Sequence, residues 1–215
     1  MKWSQLCPPD GATRKGGIEV SRRVYFAFNY EDVRNFRVNV IRNSNAFKPK
    51  DVFMDASLWE KTKRKSDDGI KRIINEGLKG TTVTAVLIGD CTYKRRWVRY
   101  EIFKSLERGN GLLGVYLHNI LDKAGKRARG GPNPFEYLGF NLRKGTLHER
   151  VLGGLFWPQS QDVPNVPLHK LSYDFAKYGT PTLAQLFQVY DWVKDDGYNQ
   201  FADWVEDAAQ QAGKR

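Results

Sequence analysis

Cysteine is scarce: Cys7 and Cys91 are the only two in 215 residues. They lie far apart with no second pair, which supports neither a disulfide framework nor a zinc site, so both are expected as reduced thiols. Long apolar runs are missing too. Nothing approaches the roughly 18 consecutive apolar residues that cross a bilayer, and residues 1–22 carry charges and glycines but no apolar segment resembling a secretion signal. A cytoplasmic protein is therefore expected. The histidines His118, His148 and His169 are isolated from one another, and no GxSxG elbow occurs, which leaves a serine or cysteine triad little to stand on. No GxGxxG follows the first strand-like segment and no GxxxxGK precedes a Ser or Thr, so hydride transfer and P-loop ATP hydrolysis are disfavoured. With no metal-ligand spacing either, chemistry resting on a single carboxylate is what remains.

What is present is a globular composition with a strong positive charge. Hydrophobic residues make up 40% of the chain and aromatics 13%, enough to bury a core in one folded domain. The net charge of +11 implies an anionic partner, whether nucleic acid, a membrane surface or a phosphorylated small molecule. The basic clusters at 61–65, 94–96 and 123–129 fall at helix edges or in loops, where a solvated surface is the simplest reading.

Strand and helix signals alternate along the first half. Residues 23–28 have the β-branched and aromatic density of a buried strand, followed by a polar junction and a helical stretch at about 31–42. A second short strand is expected at 51–54. Ser66 is placed to cap a helix whose Ile70, Ile73, Ile74 and Leu78 recur with a 3.6-residue period, with Gly80 just past its end. The apolar run 82–88 is a third strand. Thr92 is the expected cap of a helix ending near Gly109, and 112–117 is a fourth strand. This order argues for a doubly wound parallel sheet of the α/β class. Beyond Ile120 turn formers dominate, so 121–185 is expected as an irregular excursion. A fifth strand is expected at 186–190 and a final helix at 197–211, with Phe201, Val205 and Ala208 as its buried stripe. The domain layout that follows is a tail at 1–21 and a single domain at 22–212.

In an open parallel sheet, ligands bind beyond the carboxyl ends of the strands, where loops enter helices. Glu101 falls on the helix that follows the most hydrophobic strand, one turn after Trp97. Val98, Ile102 and Leu106 form the stripe facing the sheet, so Glu101 sits on its shoulder, where a carboxylate can be partly desolvated yet reach a ligand. The alternative is an exposed glutamate paired with Lys104 or Lys94. Phe28, Asn29, Tyr30 and Asp32 follow the first strand, and Asp55, Ser57 and Trp59 follow the second. Aromatic faces there can stack on a base or a pyridinium ring, and polar side chains can bond ribose hydroxyls. Core packing for Phe28 and helix capping for Asn29 and Asp32 are equally open readings.

Several segments resemble TIR domains, and among them the TIR-like proteins of bacterial Thoeris anti-phage defence. The likeness runs through residues 24–30, 53–59, 79–89, 107–116 and 131–135, and through Arg96-Trp97-Val98-Arg99-Tyr100-Glu101-Ile102, which is similar to the tryptophan-to-glutamate helix of NAD-cleaving TIR domains. It covers about residues 22–140 well. The resemblance implies a flavodoxin-like fold of about five strands and cleavage of NAD at the nicotinamide–ribose bond, with Glu101 in the position of the catalytic glutamate. The nucleotide would be bound by Phe28, Asn29, Tyr30, Asp32, Asp55, Ser57, Trp59 and Trp97. It further implies no cofactor, since NAD is the substrate. A cyclic ADP-ribose isomer would act as second messenger to a separate effector protein, with a phage-derived activator and self-assembly as further expectations. Two rival readings remain: a non-enzymatic TIR adaptor acting through protein association, and a nucleic-acid binder using the positive charge.

Overall fold

The run Val83–Ile88 forms the central strand in a computed structural model that describes residues 22–29, 37–42, 44, 66–141, 146–149 and 182–214. All six of its residues are buried, because layers cover both faces of the sheet and polar alternation has no place. This strand, β2, pairs in parallel with β1 (Val24–Ala27) on one side and β3 (Gly111–Tyr116) on the other. A strand near the end of the chain, Val189–Asp191, then pairs in parallel with β3, giving four strands in simple chain order. That order is the 1-3-4-5 portion of a flavodoxin-like 2-1-3-4-5 sheet. The strand expected at 51–54 lies outside the described residues.

Among the described residues, four helices cover the two faces. Val38 and Ile41 of α1 (Arg37–Arg42) pack with Val24, Phe26, Val83, Ala85 and Leu87 on one face. On the opposite face Ile74 of α2 (Asp67–Gly77) and Val98, Ile102 and Leu106 of α3 (Arg96–Glu107) meet Tyr25, Ala27, Val86 and Ile88. The last helix, α4 (Gly197–Gln211), returns to the first face with Phe201, Val205 and Ala208 buried, as its periodicity predicts. It lies so close to β3 that a Cβ at Gly111 would sit 2.1 Å from the carbonyl oxygen of Ala208. Among the described residues no helix is long and apolar enough to cross a membrane.

The caps follow the sequence in one case and depart from it in another. Ser66 caps α2, its hydroxyl accepting from Gly69 N–H at 3.4 Å, and Gly80 takes the left-handed φ of 70° just beyond the end. Thr92, expected to cap α3, instead opens a separate 3₁₀ turn, Thr92–Lys94, and its hydroxyl accepts from Gly89 N–H at 2.9 Å. The cap of α3 is Arg95, with no side-chain bond. The strongest local acceptor is thus used to tie the carboxyl end of β2 to the turn that follows it.

The expected irregular excursion is partly regular. An antiparallel hairpin joins β4 (Leu138–Asn141) to β5 (Thr146–Glu149), and strands of four residues are too short for alternation to reveal. Phe135, Leu138, Leu183, Leu186 and Phe187 fill the space on the α2–α3 face where a doubly wound fold would put another helix. Leu186 follows a 3₁₀ turn, Leu183–Gln185, held by a Thr182–Gln185 capping box, so the last strand, now β6, begins at Val189 and not at Leu186.

Candidate active site

Helix α3 buries more than an apolar stripe. Val98, Ile102 and Leu106 face the sheet, and Glu101 and Ser105, one turn apart, are buried with them. Glu101 is only 2% exposed, which takes it from the shoulder of the helix to its interior face. Among the described residues no lysine pairs with it, and Lys104 pairs instead with Glu107.

The partner of Glu101 comes from β1. Alternation along that strand sends Val24 and Phe26 to the α1 face and Tyr25 to the α3 face. From there the Tyr25 hydroxyl donates to Oε1 of Glu101 at 2.7 Å. Oε2 is buried and has no hydrogen-bond partner among the described residues. Burial pushes the Glu101 carboxyl up to about 8, an effect the Tyr25 hydrogen bond opposes. The Tyr25 hydroxyl is itself pushed well above the ordinary phenol range, by burial first and then by the neighbouring carboxylate. A glutamate kept largely neutral at pH 7, with one oxygen fixed and the other unpartnered, can ionise when a cation approaches.

The sequence reading missed Tyr25. A tyrosine at an inward position of a buried strand needs a partner for its hydroxyl, and that requirement was the available signal. Trp97 is half-buried: its ring carries the Arg96 guanidinium at 4.6 Å and meets Tyr100 edge-on at 5.9 Å. Arg96 also pairs with Asp67 of α2 at 2.8 Å, and the Tyr100 hydroxyl accepts from Asn75 at 3.2 Å, so α2 braces the start of α3. Phe28 is buried in the core of the opposite face with Val38 and Ile41. Asn29, also buried, stands at the carboxyl end of β1. Tyr30, Asp32, Asp55, Ser57 and Trp59 lie outside the described residues.

The basic segment 123–129 comes to the same end of the sheet. Its base is pinned by buried Arg37, which donates to the carbonyls of Ile120 at 2.8 Å and Lys126 at 3.0 Å. The chain then crosses the strand ends, with Ala128 N–H donating to the His118 carbonyl at 2.9 Å. Gly131 presses so tightly on the end of β2 that a Cβ there would lie 2.4 Å from the carbonyl oxygens of both Gly89 and Asp90. His118 sits with Asn119 beside Asp191, and Asn119 donates to Asp191 at 2.6 Å.

Residues 25–122, the span holding Tyr25, β2 and all of α3, match the family described as Thoeris protein ThsB, TIR-like domain. A Bacillus cereus (strain MSX-D12) protein, named as a candidate cyclic ADP-D-ribose synthase ThsB1, is 44% identical over 192 residues. That alignment spans 86% of this chain and 100% of the relative. The chain belongs to the Thoeris ThsB TIR-like family. In this ThsB-type domain the helix carrying Trp97 and Glu101 is α3, and its acidic side chain lies against the first strand of the sheet.

Proposed function

We propose that this protein cleaves NAD between nicotinamide and ribose and closes the remaining ADP-ribose into a cyclic isomer, a second messenger of anti-phage defence. The observation that carries this reading is Oε2 of Glu101, a buried carboxyl oxygen without a partner among the described residues, on the tryptophan-to-glutamate helix of a domain whose relative is named for cyclic ADP-D-ribose synthesis.

The chemistry asks little of the protein beyond that oxygen. The pyridinium of NAD leaves as neutral nicotinamide, so no general acid is required, and the C1′–N bond breaks with positive charge developing on the ribose. A carboxylate within a few ångströms stabilises that charge, most strongly in a water-poor site. The pyridinium cation also lowers the pKa of Glu101 as it binds, so substrate entry generates the anionic form that the reaction uses. A nucleophile on the same molecule then captures the ribosyl cation to form the ring, favoured by its high effective concentration, whereas water would give linear ADP-ribose. Asn29 at the end of β1, with Tyr30, Asp32, Asp55, Ser57, Trp59 and Trp97, would bind the nucleotide, and Phe28 would support that rim from the core. NAD is substrate here, not cofactor. One domain at 22–212, cytoplasmic placement, self-assembly, a phage-derived activator and a separate effector reached by the diffusible product complete the reading.

The test is incubation of the pure protein with NAD, with and without extract of phage-infected cells, with mass spectrometry of the products. Nicotinamide and a species lighter than ADP-ribose by one water are expected. Intact signalling in cells by Glu101→Ala, without nicotinamide release, would instead establish the adaptor reading.

A further inference from the structure

We propose that Tyr25 is a positioning residue for the reaction, one that holds Oε1 of Glu101 and so leaves Oε2 as the oxygen that faces the substrate. The inference rests on the NAD-cleaving reading and adds to it a residue from another element, 76 positions away in sequence.

The geometry leaves little alternative for the carboxyl. Oε1 accepts from the Tyr25 hydroxyl at 2.7 Å, while Oε2 has no partner among the described residues. With the Tyr25 hydroxyl donating to Oε1, the proton of the neutral carboxyl is carried on Oε2. Among the described residues no other charged group bears on it from the packed elements. From β2 the side chains on this face are Thr84, Val86 and Ile88, and α2 with its C-cap brings Ile74 and Leu78. Among the described residues burial and Tyr25 are the influences on its ionisation, and they act in opposite directions. Tyr25 thus does two things at once: it orients the carboxyl, and it favours the charged form against desolvation. On substrate binding the proton leaves Oε2 for solvent, and the negative charge appears on the side away from Tyr25.

Tyr25→Phe keeps the ring that packs in the core and deletes only the hydroxyl. Losing a hydrogen bond to the charged form should move the Glu101 titration up by about one pH unit. Observed by carbon-13 NMR of the carboxyl, that shift needs no substrate. In the enzyme assay kcat/KM at pH 7 should fall about tenfold and recover at high pH, because only the ionised fraction has changed. Site-specific 3-fluorotyrosine, a stronger donor with the same ring, should move both midpoints down. An unchanged carboxyl midpoint in Tyr25→Phe overturns the proposal, and so does a shifted midpoint with wild-type kcat/KM at every pH. Absence of nicotinamide release from the activated wild type sinks the NAD reading alone, and the NMR titration then still decides whether Tyr25 governs Glu101.

Discussion

Ser105 and Glu101 lie one helical turn apart on the buried face of α3, and their surroundings treat them in opposite ways. Ser105 donates to the carbonyl of Glu101 at 2.7 Å and shares a 2.8 Å hydrogen bond with Thr84, which is approached in turn by Asn110 at 3.4 Å. Asn110 also donates to Thr81 at 2.8 Å. No buried side-chain oxygen or nitrogen in this network lacks a partner. The Glu101 carboxyl, a far costlier group to bury, has among the described residues one hydrogen bond and one oxygen without a partner. A fold that partners Thr81, Thr84, Ser105 and Asn110 with one another could be built without a half-satisfied carboxyl above them. The polar groups of this network are paired, whereas the carboxyl one turn above them keeps an oxygen with no partner among the described residues.

The sharpest way to break this comparison is Glu101→Gln. Its loss of charge should lower nicotinamide release by at least about 10²-fold, the scale of removing one preorganised electrostatic contact to a transition state. Ser105→Ala should leave the rate near wild type. Equal losses in the two variants would mean that the two positions do not differ in kind.

Stability should separate them in the opposite sense as pH changes. The folded-state pKa of Glu101, about 8, lies above the ordinary 4.5, so its contribution is greatest below about pH 4.5. That contribution is lost as pH rises towards 8 and is constant beyond. Glu101→Gln should abolish this decline, so the melting temperatures of variant and wild type diverge in the variant's favour between pH 5 and pH 9, a difference that calorimetry reads directly. Ser105→Ala should instead destabilise the protein at all pH values by about 1–2 kcal/mol, measurable by urea denaturation, because Thr84 loses its partner in the core.

A smaller effect comes from a carboxylate that has what Glu101 lacks. Glu206 of α4 accepts two bonds from Arg22 at 2.8 Å, and the Arg22 hydrogen bond holds its pKa below the ordinary value. Its contribution is present above about pH 4.5 and lost as pH falls further, the reverse of Glu101. Glu206→Gln should cost no more than about 1 kcal/mol at pH 7, since the pair is partly solvated, and should leave NAD cleavage unchanged.

The skeleton of the fold was legible in the sequence because its signals are local. The unbroken apolar run of β2, the Ser66 cap and the Phe201–Val205–Ala208 stripe each lie within one element. Glu101 was legible as a candidate for the same reason, since the helix register alone places it beside the buried stripe. Its depth was not, because burial to 2% exposure depends on α2, β1 and β2 closing over it. The Tyr25 bond was hidden for a related reason: it joins residues 76 positions apart, and only the pairing of β1 with β2 brings them together. Thr92 shows the limit of local cues in another form. A good capping residue in the right place was captured by the Gly89 amide, and α3 began without a side-chain cap.

The central claim is that Glu101 must lose a proton before it can act, and the pH dependence of nicotinamide release tests this most directly. For activated wild-type protein, kcat/KM should rise through a single ionisation with its midpoint near 8. Glu101→Gln should show only a low, flat baseline. Release by both proteins at the same rate across the pH range would contradict the account.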